Sequence, residues 1–89
     1  MINIQEIPQI TRIYLVTNCY NDPNKVYIGK EIYPKSGSNS RYKNHKTKFG
    51  KDIIFTYIDE INSLNYELWK PLECFWIEYF RQLGFDLQN

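Results

Sequence analysis

Eighty-nine residues are enough for one domain with one compact core and too few for two. Hydrophobic residues make up 43% of the chain and aromatics 17%, a composition that excludes a disordered protein and supplies enough apolar surface to fold without staples. A net charge of +1 excludes a strongly polycationic nucleic-acid binder and argues against tight, autonomous binding to DNA.

Divided along the chain, that charge is strongly segregated. Lys30, Lys35, Arg41, Lys43, Lys46, Lys48 and Lys51 are seven of the eleven basic residues, and Glu31 is the one acid among them. From Asp52 onward acids dominate, opposed by Lys70 and Arg81. An anionic partner must therefore meet the middle of the chain, a local footprint suited to DNA, although a solvated basic loop and helix would look the same. Cys19 and Cys74 lie far apart in no metal-ligand spacing, so neither a disulfide framework nor a zinc site is indicated. No stretch approaches the roughly 18 apolar residues of a membrane span, and MINIQEIPQI lacks the character of a signal peptide. The expectation is a protein with no membrane partner in an intracellular, cytoplasmic setting.

In chain order, Ile13–Thr17 (IYLVT) and Val26–Gly29 (VYIG) are short β-branched and aromatic runs. The turn-rich stretch Asn18–Lys25 between them makes an antiparallel hairpin. Alternation separates Ile13 and Leu15 from Tyr14 and Val16, and Val26 and Ile28 from Tyr27 and Gly29; if the two aliphatic sets share a face, Tyr14 and Tyr27 share the opposite one. Gly29 leaves that face bare enough for a close approach. Glu31–Ser40, with Pro34, Gly37 and three serines, reads as a loop into a short helix Arg41–Phe49 ended by Gly50, which makes Arg41 and His45 neighbours one turn apart. Ile53–Ile58 is the third strand. A final helix spans about Lys70 to Leu83, with Pro71 in its first turn and Gly84 just past its end, and Tyr66–Trp69 forms a separate turn or short helix before it. Leu72, Phe75, Trp76, Tyr79, Phe80 and Leu83 recur at helical spacing as its apolar face. The expected fold is α+β: a small three-stranded antiparallel sheet flanked by helices, one domain over 1–89.

Glu73 carries the most information in that helix, because its i−4, i+3, i+4 and i+7 neighbours are Trp69, Trp76, Ile77 and Phe80. A carboxylate so flanked needs a cation, a metal or a strong hydrogen-bond partner; the ordinary alternative is a boundary residue paired with a lysine. His45, the single histidine, shares a helix face with Arg41. That joins a bidentate phosphate binder to a group that moves a proton near neutral pH. Taken alone, Tyr14 and Tyr27 are strand tyrosines packing in a sheet.

Together, however, RIY (Arg12–Tyr14), VYIGK (Val26–Lys30), RYKNH (Arg41–His45), LECFWIEYF (Leu72–Phe80) and GFDLQN (Gly84–Asn89) follow the motif order of the GIY-YIG nucleases. The chain resembles that family from about residue 12 to residue 89. The resemblance implies an endonuclease that hydrolyses a DNA phosphodiester with a divalent ion, Mg2+ or Mn2+, held by Glu73. Arg41 would stabilise charge on the phosphate, and Tyr14 or His45 would activate or orient water. Tyr27 would hydrogen-bond within the site, Lys30 would lower the pKa of a neighbouring tyrosine, Gly29 would permit close packing, and Asn89 would fix the active-site backbone. Lys35, Lys43, Lys46, Lys48 and Lys51 are the candidate DNA contacts. The chemistry is consistent, since phosphodiester hydrolysis needs cationic stabilisation and a deprotonated nucleophile in line.

Arg12 stands where the family has the first glycine of GIY, the loop between Gly29 and Arg41 is long, and no residues are left over for a target-choosing domain. The resemblance therefore implies a core of the homing or mobile-element kind, with target choice left to an appended or separate domain. The rival expectation is a non-catalytic DNA-binding or interaction module with the same fold.

Overall fold

The computed structural model describes residues 8–34 and 41–89. It is an α+β fold in which a four-stranded mixed sheet, ordered β3-β1-β2-β4, carries two helices. The strands are β1 (Ile10–Thr17), β2 (Lys25–Tyr33), β3 (Ile54–Ile61) and β4 (Asp86–Leu87); the helices are α1 (Arg41–Phe49) and α2 (Tyr66–Gln82). The antiparallel trio β3-β1-β2 matches the sequence expectation. The fourth strand does not: β4 pairs parallel with Lys25 and Val26 at the outer edge of β2. A two-residue strand has no periodicity to read.

Three residues of the β1–β2 turn are left-handed, Asn18, Tyr20 and Asn21 at φ 62°, 55° and 59°; asparagine tolerates that backbone, and tyrosine seldom adopts it. Asp22 closes the turn twice: its carbonyl accepts from the Lys25 N–H at 3.0 Å and its side chain from the Asn24 N–H at 2.9 Å. Register then follows, with Tyr14 opposite Gly29 and Val16 opposite Tyr27. Both strands run further than expected. Glu31, Ile32 and Tyr33 continue β2, so alternation carries Glu31 onto the same face as Gly29.

That face is covered at one end by α1. Phe49, 1% exposed, enters a cluster with Tyr14, Val16, Cys19 and Ile53, against which Tyr27 and Phe55 pack. Emptying the Phe49 position would cost about 3–5 kcal/mol. Gly50, at φ +108°, ends the helix, where its N–H bonds the Lys46 carbonyl at 2.9 Å.

Helix α2 crosses the opposite face, where Trp76 donates to Asp59 at 2.8 Å and Lys30 lies 4.9 Å from the Trp69 ring. It is one continuous helix from Tyr66, so the separate turn expected at Tyr66–Trp69 and the start expected near Lys70 are corrected. Asn65 sets the start, accepting from the Glu67 N–H at 3.0 Å. Pro71 lies inside the helix and withholds an N–H from the Glu67 carbonyl; both residues are exposed, where water can substitute. At the far end Gly84, φ +96°, donates to Arg81 O and Phe85 donates to Phe80 O, while the Phe80 and Phe85 rings meet at 5.7 Å. That is a complete Schellman stop. The expected apolar face is only partly used: Phe75, Tyr79 and Leu83 are exposed. The sheet takes the side bearing Trp69, Glu73, Trp76 and Phe80, a sector about a sixth of a turn from the one that spacing alone selects.

Candidate active site

Tyr14 lies under α1 and is 1% exposed. Its ring stacks on Phe55 at 4.5 Å and leans over Gly29 so closely that a Cβ there would stand 2.3 Å from both Cζ and the hydroxyl oxygen. Glycine is needed for space at this position, which gives the bare sheet face a definite occupant.

The Tyr14 hydroxyl meets Nε2 of His45 at 2.7 Å. His45 is half-buried, with its ring 4.9 Å from Tyr27 and stacked on Phe49 at 5.6 Å. Tyr27 in turn is 6.4 Å from Tyr14, ring centre to ring centre. Three expected site residues, drawn from β1, β2 and α1, therefore share one surface.

Charge ties in two more. The Tyr14 pKa is raised, first by burial and then by Tyr27, Glu31 and Glu73, with the exposed Arg41 pulling the other way. His45 is lowered by burial, then by Arg41 and Lys48. Arg41 acts on both members of the pair, and the Glu73 carboxylate lies within electrostatic reach of the Tyr14 hydroxyl. At Tyr14 burial outweighs Arg41, so the hydroxyl holds its proton more tightly than a free phenol. Lys30 does not assist, since it sits on the other face against Trp69.

Glu73 is 8% exposed, and its Oε1 accepts from Lys70 Nζ at 2.7 Å. The sequence alternative of a lysine partner is thus realised, through an i,i+3 pair on α2. Among the described residues, no group of three or more His, Cys, Asp or Glu gathers in a metal-holding arrangement. The carboxylate suits a hard divalent ion that completes its shell with water and phosphate oxygens, as magnesium commonly does. Lys70 is the more exposed partner of the pair.

Asn89 brackets the backbone of Ile28, accepting from its N–H at 3.0 Å and donating to its carbonyl at 2.6 Å. Its side chain continues the β2 edge where β4 ends, beside Tyr27 and Gly29. Lys43, Lys46, Lys48 and Lys51 lie on or just past α1, with Lys46 half-buried and the others exposed. Lys35 lies outside the described residues. Sequence reading passed over Glu31, Phe55 and Tyr57. Extending the alternation of β2 by two residues would have found Glu31.

Comparison of the chain with protein-family models, with curated proteins and with solved structures found no match to any of them.

Proposed function

We propose that this chain is a divalent-metal-dependent DNA endonuclease of the GIY-YIG type, in which Tyr14, Tyr27, Arg41, His45 and Glu73 form one site. The observation that carries the reading is the Tyr14–His45 hydrogen bond at 2.7 Å, made between motifs 31 residues apart and beside the charges of Arg41 and Glu73.

The choice between Tyr14 and His45 as base follows from access. A buried tyrosine with a raised pKa keeps its proton at neutral pH and does not face a substrate. His45 is more accessible, and its lowered pKa leaves the ring neutral, as a base must be. His45 therefore takes the proton of the attacking water on Nδ1, and Tyr14, whose phenol oxygen accepts from Nε2–H, holds the ring in that orientation and tautomer. Arg41 binds a non-bridging phosphate oxygen. A magnesium ion at Glu73 would supply further charge stabilisation. The lysines of α1 guide the anionic backbone to the site, with modest and salt-sensitive affinity.

The Lys70–Glu73 pair favours a second reading, a DNA-binding module without turnover, because it satisfies the carboxylate without a metal. Plasmid cleavage in Mg2+ or Mn2+ decides. The nuclease reading expects nicking or cutting that Glu73→Ala and Arg41→Ala abolish; undiminished cleavage by Glu73→Ala would sink it. DNA binding with no cleavage by the wild-type chain would favour the module.

A further inference from the structure

Helix α1 covers only one end of the Tyr14 face. At the other end, Tyr57 on β3 reaches across the central strand and donates its hydroxyl to Oε2 of Glu31 on β2. The two residues come from strands that are not neighbours, so this bond spans the width of the antiparallel trio. Its anchor is costly: Glu31 is 9% exposed, and a buried carboxylate is tolerated only when bonded. Arg12, its register partner, stacks on the Tyr33 ring at 3.7 Å and lies 4.9 Å from the Tyr57 ring. The residue that departs from the first glycine of the GIY motif is thus built into the same assembly. Tyr57 keeps its proton for the bond, because burial, then the bond to Glu31 and its charge, raise its pKa.

This bridge borders Tyr14. Tyr57 is the β3 register partner of Tyr14, and Glu31 lies two residues beyond Gly29, its β2 partner. The Tyr57 ring meets Phe55 edge-on at 5.4 Å, and Phe55 stacks on Tyr14. With α1 on one side and the bridge on the other, the Tyr14 ring has one place to lie, over Gly29 with its hydroxyl at His45.

We propose that Tyr57 and Glu31 are positioning residues for the Tyr14–His45 pair, acting through Tyr14 by a hydrogen bond that straps the sheet. The inference rests on the reading of that pair as the proton-handling unit, but its test needs neither DNA nor metal. Failure of the strap and failure of the nuclease reading are therefore separable.

His45 is the single histidine, so its ring proton resonances in NMR titrate without ambiguity. Around it stand Arg41 and Lys48 on α1, Tyr14 and Tyr27 on the sheet, and the Glu31 and Glu73 charges sensed through Tyr14. Tyr57→Phe removes the strap's donor and keeps the ring packing. It is expected to lower the His45 midpoint, changing the ionisation constant roughly two- to five-fold, as loosening Tyr14 weakens the bond its phenol oxygen accepts from Nε2–H, a bond that favours the charged ring. Glu31→Gln, which keeps an acceptor oxygen, is expected to stay near the wild-type midpoint. In a Tyr14→Phe background Tyr57→Phe is expected to change nothing. An unchanged midpoint in Tyr57→Phe, an equal shift with and without Tyr14, or a Glu31→Gln shift as large as that of Tyr57→Phe would each overturn the proposal.

Discussion

The Tyr14 hydroxyl and Nε2 of His45 stand 2.7 Å apart, joining the central strand of the sheet to the helix that covers it. Burial pushes the tyrosine pKa up and the histidine pKa down, so at neutral pH the bond links two uncharged groups. A phenol that stays protonated orients its partner better than it abstracts a proton. Removing the base should therefore be worse than removing its support. In plasmid cleavage His45→Ala is expected to lose about 10²–10⁴-fold in rate, Tyr14→Phe about tenfold, and the double variant no more than His45→Ala alone. A Tyr14→Phe loss larger than that of His45→Ala would reverse the assignment of the base.

The same shifts make stability depend on pH. Folded His45 has a lower pKa than the unfolded chain, whose histidine titrates near 6.5. The unfolded state thus binds the proton more readily, and the stability present above about pH 6.5 is lost as the pH falls toward the folded value. Thermal midpoints are expected to decline between pH 7.5 and pH 5.5, above the range where most carboxylates titrate. His45→Gln should flatten that slope. An equal slope in the variant would assign the decline to other groups.

Much of the site was legible because strand alternation and helical spacing are local rules. They put Tyr14, Val16, Tyr27 and Gly29 on one face and bounded α1 at Arg41 and Phe49, as found. Long-range facts escaped them. β4 pairs through two residues beyond a helix stop, and Glu31 looked like loop because Pro34 and the glycine and serines after it coloured the whole segment. The direction of the Tyr14 pKa was also out of reach. It depends on how deeply the ring is buried, which basic residues nearby in the sequence do not reveal.

Gly29 should resist substitution for reasons of space. A Cβ there would stand 2.3 Å from Cζ and the hydroxyl oxygen of Tyr14, and the backbone of a central antiparallel pair has little room to retreat. Gly29→Ala is expected to destabilise by about 1–3 kcal/mol, read as a lower denaturant midpoint. Gly29→Ala combined with Tyr14→Ala should recover much of that loss, since the clash needs both side chains. Equal destabilisation in both backgrounds would point to backbone strain.

Asn89 replaces a strand with a side chain. Its amide reproduces the two bonds that a longer β4 would make to Ile28. Asn89→Ala leaves the two backbone groups of Ile28 to find water at a part-buried edge, at a cost of about 1–3 kcal/mol. Asn89→Asp keeps the acceptor for the Ile28 N–H but sets a carboxylate against its carbonyl, so it should be no better than alanine. Amide exchange would locate the effect: protection of Ile28 should fall in both variants, while that of Ile13 on the central strand should hold.

Lys70 separates the two readings of Glu73. In the ion pair, a lysine whose side chain is 39% exposed holds a glutamate whose side chain is 11% exposed, and the ammonium gains little itself because water screens it. Bonding to Glu73 is the main reason the Lys70 pKa is raised. In the nuclease reading a divalent ion must displace or share that ammonium, so Lys70 would compete with metal. Lys70→Met leaves the Glu73 carboxylate unpaired in the absence of metal, and in the nuclease reading it is expected to lower the Mg2+ concentration for half-maximal cleavage several-fold while added Mg2+ restores the thermal midpoint. If the pair is a structural clasp in a non-catalytic module, the same substitution leaves a buried carboxylate unpaired. The loss of stability then persists, because added Mg2+ does not restore the thermal midpoint. Thermal denaturation of the variant with and without Mg2+ therefore distinguishes a metal ligand from a salt-bridge partner even if no cleavage is observed.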